Sequence, residues 1–207
     1  SDGDGIADPL TFEQFKKLCD ELLVKKNGTI TQYSFLPGLA EAKVLAQFLT
    51  NAGTSWFNSS TYESTFLQQN VKDVVKYYYD ILAKNEVNNT GASMLPLFAQ
   101  GKVAMIMSGM YAVEYYGLDK LNLGVAYPPA KAGCESKPYT TGCVGMAISA
   151  RSKVKKAAFK FVEWYLDYMG EKSAERALNF PALKKYAEEY ILNPEKNTNA
   201  VRLAAAQ

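Results

Sequence analysis

A chain of 207 residues without a single histidine has few ways to move a proton near neutral pH, because imidazole is the side chain whose ordinary pKa lies there. Ser/His/Asp triads, Cys/His dyads and histidine-bearing zinc sites are excluded on that ground. The enzymatic chemistry left open is a pair of carboxylates drawn from the 21 Asp and Glu residues, as in glycoside hydrolysis, where two acids face each other across a cleft and can be far apart in sequence. Cys19, Cys134 and Cys143 lack metal-ligand spacing. Cys134 and Cys143 flank a stretch rich in Gly, Pro and Thr and could close a small disulfide loop in an oxidising compartment. Cys19 falls on an apolar helix face and reads as core.

Two segments carry ligand-type groups. In Asp2-Gly-Asp-Gly-Ile-Ala-Asp8, alternating carboxylates could converge on a hard cation such as calcium. The pattern is incomplete: its first ligand position lies upstream of Ser1, and Thr11 stands where the distal Glu belongs, so a surface loop is the plainer reading and no resident metal is expected. The second segment runs from Phe98 to Tyr111, where a helix stops at Gly101, an apolar strand runs out, and Ser108-Gly109-Met110 deliver Tyr111. Open α/β sheets bind ligands beyond the carboxyl ends of their strands, and an aromatic there can stack on a sugar ring while its hydroxyl hydrogen-bonds. The alternative is that Tyr111 opens a helix and packs inward. Trp56, between Ser55 and Phe57, is a second aromatic platform or else packs beneath the fold.

The elements that must hold these residues follow from periodicity. Thr11 and Gln14 form a capping box, and Phe12, Phe15, Leu18, Cys19, Leu22 and Leu23 recur at helical spacing, which predicts a helix over 11–26. A strand is expected over 29–36, and helices over 39–51, 66–84 and 93–100. Apolar runs at 103–107, 123–127 and 143–149 read as buried strands, followed by a helix over 153–168. This alternation implies an α/β fold, helices flanking a central sheet. Charge is balanced, 23 Lys and Arg against 21 Asp and Glu, and dispersed along the chain, so no nucleic acid partner is expected. No segment is apolar enough to span a bilayer, and the first residues are not a signal peptide.

The stretch from Phe98 to Tyr111 resembles a segment of the family 1 extracellular solute-binding proteins, in which G-K-x-A-M, an apolar strand and a Gly-x-Trp corner follow one another. Pro9-Leu-Thr-Phe-Glu-Gln-Phe15 and Asn51-Ala-Gly-Thr-Ser-Trp56-Phe-Asn resemble its upstream blocks. Leu123-Gly-Val-Ala-Tyr-Pro-Pro129, Thr141-Gly-Cys-Val-Gly-Met-Ala-Ile-Ser149 and Ser152-Lys-Val-Lys-Lys-Ala-Ala-Phe-Lys-Phe-Val-Glu-Trp-Tyr-Leu166 resemble its downstream blocks, in order. The resemblance implies a periplasmic-binding-protein-like, incomplete two-lobe fold: residues 1–142 as the main part of the carboxyl-terminal lobe, and 143–207 as a hinge crossing with helices that pack on the other lobe. It implies a binder of sugar or oligosaccharide working with the permease subunits of an ABC importer, extracellular or periplasmic, held to the membrane only through a lipid anchor absent from this chain.

Tyr111 falls where relatives often carry a stacking Trp, with Ser108, Gly109 and Met110 around it, Trp56 near a cleft turn, and Thr141 and Gly142 on the crossing between lobes. Tyr77-Tyr78-Tyr79 and Tyr115-Tyr116 resemble the paired tyrosines of ferric-ion-binding relatives, which keeps that alternative open beside the paired-carboxylate enzyme.

Overall fold

The computed structural model describes residues 6–37, 41–86, 95–118, 121–137, 145–176, 179–199 and 203. The chain divides into two compact units, one of residues 1–109 and 126–140, the other of 110–125 and 141–207. The sequence suggested a single break near 142; in the structure residues 110–125 also fall in the second unit.

In the first unit a two-residue strand, β1 (Ile6–Ala7), precedes α1 (Phe12–Leu22). The capping box forms as expected: the Gln14 amide donates to Thr11 Oγ1 at 3.2 Å, and the Thr11 amide donates to Gln14 Oε1 at 2.8 Å. The helix stops four residues short of expectation, because Val24–Lys26 becomes β2 and pairs antiparallel with β3 (Thr29–Pro37). Asn27 and Gly28, both left-handed with φ of 51° and 78°, turn that hairpin, as an Asn-Gly pair does in a two-residue turn. Ladder bonds outweigh the helical preference of Lys25 and Lys26 there.

Helices α2 (Glu41–Thr50), α3 (Gln69–Lys84) and α4 (Leu95–Ala99) and strand β4 (Val103–Met107) follow. Helix α3 begins later than its apolar period suggested because Trp56 to Thr65 folds as a hairpin-like loop, bridged at Phe57 and Ser64, with the Asn58 carboxamide oxygen accepting from the Ser60 and Thr61 amides. The sheet runs β2-β3-β4, and β3 and β4 are parallel, with Tyr33, Phe35, Leu36 and Pro37 opposite Val103, Met105, Ile106 and Met107.

One apolar core fills the space between the helices and β3. It gathers Phe12, Phe15 and Cys19 from α1, Phe35 from β3, Val44, Leu45, Phe48 and Leu49 from α2, and Val71, Val74, Tyr78, Ile81 and Leu82 from α3. The Asn85 carboxamide oxygen at the end of α3 accepts from both the amide and the hydroxyl of buried Ser34, at 2.8 and 3.0 Å. The returning segment 126–140 is pinned in turn: Ala130 exchanges backbone bonds with Leu10 and Phe12, both 2.9 Å.

Cys19 sits in this core, and burial above all pushes its thiol up to about 12, Asp20 adding to the shift while the Ser34 hydroxyl and Lys84 oppose it. Since the thiolate is the reactive form, alkylation of the native protein followed by peptide mass spectrometry should label the partly buried free thiol of Cys134 well before Cys19. Equal labelling of both would contradict the burial. Cys143 lies outside the described residues.

The second unit holds α5 (Tyr111–Tyr115), α6 (Lys155–Glu175) and α7 (Lys184–Tyr186), the last continued by a single π-turn over Ala187–Ile191. Ala174, Tyr186 and Ile191 are its buried cluster, with Met110, Leu183 and Tyr190 against it. The tight approach is made at Gly170, where an added Cβ would stand 3.4 Å from the Tyr186 ring. The Tyr186 hydroxyl and Lys185 both donate to Asp167 at 2.8 Å. These two donors, Lys185 first, hold the Asp167 carboxyl below its usual range. The strand expected over 123–127 shrinks to β5 (Val125–Ala126), and 145–149 is irregular rather than a strand: an apolar run becomes a strand only where a neighbour completes its backbone bonds, and among the described residues no ladder forms on 145–149.

Candidate functional site

The parallel pair β3 and β4 ends level, Pro37 opposite Met107. This is the carboxyl edge at which an open α/β sheet receives a ligand, because helix starts and loop amides gather there. Ser108 and Gly109 follow directly after β4, and α2 begins at Glu41, four residues beyond the end of β3 at Pro37. Met105 and Met107 pack against the unit's core, which fixes the height at which the strand releases Ser108.

The Ser108 hydroxyl is buried and has no hydrogen-bond partner among the described residues. A buried hydroxyl left without a partner costs on the order of 1–3 kcal/mol, and such a group at a strand end is the kind that a ligand hydroxyl satisfies. The division between units falls between Gly109 and Met110. Ser108 and Gly109 therefore belong to the first unit, while Met110 and Tyr111 belong to the second. Met110 packs against the cluster of Ala174, Tyr186 and Ile191, and Tyr111 is the partly buried first residue of α5, so the helix-opening alternative for Tyr111 describes its backbone.

Trp56 belongs to the first unit and packs partly against the core. Its indole stacks on Phe66, ring centres 6.2 Å apart and planes at 29°, so one of its two faces is already covered by protein. Thr141 and Gly142 lie outside the described residues, as do Asp2 and Asp4. Among the described residues no group of three His, Cys, Asp or Glu could hold a metal ion. Tyr78 is fully buried and the Tyr77 hydroxyl donates to the Phe12 carbonyl, with burial raising the Tyr77 phenol well above its ordinary pKa. That leaves Tyr79 as the one exposed ring of the triplet, and no pair of phenolates for ferric iron there. The buried polar side chains among the described residues are Ser34, Gln47, Asn51, Asn85 and Asn197.

Sequence reasoning missed Pro37. The strand expected over 29–36 runs on to Pro37, and the parallel partner that sets Pro37 beside Met107 comes from seventy residues further along the chain. The signal available was the Pro itself, confined to strand ends because it lacks an amide donor.

Comparison with known proteins adds the lineage. A family described as bacterial extracellular solute-binding protein matches residues 2–172. Among curated proteins no sequence match is found. The maltose/maltodextrin-binding domain MalE from Bdellovibrio bacteriovorus bound to maltotriose superposes with a TM-score of 0.74 at 17% identity, covering 95% of this chain and 53% of that one. The substrate-binding protein Lmo0181 from Listeria monocytogenes in complex with cycloalternan gives 0.64 at 16% identity, covering 97% and 53%. A cyclo/maltodextrin-binding protein complexed with maltotetraose gives 0.62 at 17%, covering 96% and 53%. At such identities the likeness is one of fold, and the chain spans about half the length of these structures.

Proposed function

From the premise that the chain belongs to the bacterial extracellular solute-binding proteins, we propose that the protein captures a sugar or oligosaccharide by stacking and hydrogen bonding, without covalent chemistry, and delivers it to the permease subunits of an ABC importer. The observation that carries this reading is the level carboxyl edge of β3 and β4 with the partnerless Ser108 hydroxyl just beyond it. Three proteins of similar fold were solved with maltotriose, cycloalternan and maltotetraose, which favours a neutral polyhydroxylated ligand. Ser108, Gly109 and Met110 shape the corner, Tyr111 and Trp56 stack on sugar rings, and Thr141 and Gly142 let backbone approach the ligand.

In this reading residues 1–142 form the main part of the carboxyl-terminal lobe and 143–207 carry the crossing and helices that pack on the other lobe. The face of α6 bearing Phe161, Trp164, Tyr165 and Tyr168 supports that assignment, since these rings touch one another in series while Phe161 and Trp164 remain 53% and 55% exposed. A continuous aromatic stripe at helical spacing is a face made for burial. The whole protein works outside the cytoplasm, tethered by a lipid anchor.

Calorimetric titration of a chain that includes the other lobe tests the proposal. Maltotriose, maltotetraose and cycloalternan are the first ligands to try, and heat of binding is expected with at least one neutral oligosaccharide. Tyr111→Ala should weaken that affinity roughly fivefold, the value of about 1 kcal/mol of lost aromatic contact. Absence of binding across the neutral sugars, or hydrolysis of them, would refute the proposal.

A further inference from the structure

The amino-terminal end of α6 carries an open cavity of about 500 Å³ lined by Ile148, Lys155, Lys156, Phe159, Lys160 and Glu163. Five of these six residues belong to one helix, so the cavity is a shelf with a single wall and suits a broad surface better than an enclosed small molecule. Arg151 and Lys153 lie just before it, which makes five cations within residues 151–160 and no acid before Glu163. Among the described residues no ion pair engages any of the five. Between them stand Val154 and Phe159, 66% and 55% exposed.

Placement makes these charges matter. Lys155 and Lys156 occupy the first turn of a 21-residue helix that has no acidic residue in that turn and no side-chain cap. Cations there oppose the helix dipole, and the positive ends of both sum toward an external anion. At about 100° per residue, Lys155, Lys156, Phe159, Lys160 and Glu163 share one arc of α6, while Phe161, Trp164, Tyr165 and Tyr168 lie nearly opposite. If the aromatic stripe is covered by another part of the protein, the lysine face stays outward.

We propose that this lysine-rimmed shelf docks on an anionic phospholipid surface, the ammonium groups meeting phosphates and Phe159 entering the interface. Basic residues around an exposed aromatic are the arrangement by which peripheral helices hold to such surfaces. This contact shares no residue with the proposed sugar site and does not depend on that proposal.

Vesicle flotation tests it, using phosphatidylcholine vesicles with and without phosphatidylglycerol and the full chain. Binding is expected with phosphatidylglycerol only, weakening as salt is added. The triple change Lys155→Glu, Lys156→Glu, Lys160→Glu should lower partitioning by about 100-fold or more, whereas the charge-matched change Lys26→Glu, Lys43→Glu, Lys72→Glu should leave most of it. Circular dichroism checks folding, and Lys155→Gln, Lys156→Gln, Lys160→Gln replaces the first triple if that one unfolds. The proposal is overturned by equal binding to neutral vesicles, by no binding to either kind, by equal loss in both triples, or by loss of binding in a longer chain that carries the other lobe.

Discussion

Phe48→Ala is expected to remove about 3–5 kcal/mol of unfolding free energy. Phe48 is fully buried on α2, and its ring contacts those of Phe12, Phe15, Phe35, Tyr77 and Tyr78, at centroid distances from 5.2 to 6.3 Å. It thus joins α1, β3 and α3 through one side chain. Truncation loses the transfer free energy of the ring and leaves a void whose walls come from three elements, none of which can close it alone. Urea titration of wild type and variant measures the loss, and a difference below about 1 kcal/mol would show that the core is not centred on this residue. Ligand affinity should fall with it, since Phe35 on β3 and Met105 and Met107 on β4 rest on the same cluster.

Asn51→Ala is expected to cost about 2–4 kcal/mol, with a local signature of its own. The buried Asn51 side chain donates to the Pro129 carbonyl at 3.1 Å and accepts from the Lys137 amide at 3.0 Å, while its own carbonyl accepts from the Lys131 amide at 2.9 Å. Gln47, one turn earlier, donates to the Lys137 carbonyl. Alanine leaves the Pro129 carbonyl and the Lys137 amide without partners in a place where water replaces them poorly. Hydrogen exchange read by peptide should show the 129–137 segment losing protection before the hairpin at Asn27-Gly28 does. Uniform loss over both would mean that Asn51 acts only through global stability.

Much of this was legible because the signals are local. The capping box of Thr11 and Gln14, the left-handed Asn27-Gly28 turn and the apolar period of α3 each place a backbone by chemistry contained within a few residues. Strand β4 emerged with the bounds expected, being an apolar run too short for a helix. The failures are non-local: Lys25 and Lys26 left the helix because β3 offered a ladder, and 145–149 stayed irregular where no ladder formed on it. Charge shows the same limit. Five cations crowd into residues 151–160 of the sequence, but helical winding decides that Lys155, Lys156 and Lys160 share one arc of α6.

The amino-acid sequence by itself determined the absence of imidazole chemistry, the α/β alternation and the order of blocks that marks the family, since each depends on residue type and short-range spacing. Tertiary structure alone decided that Pro37 stands beside Met107, that Ser108 keeps a buried hydroxyl without a partner, and that Phe66 covers one face of Trp56. Those are relations between segments far apart in the chain, selected by which surfaces can be buried together, and spacing along a single strand or helix does not encode them.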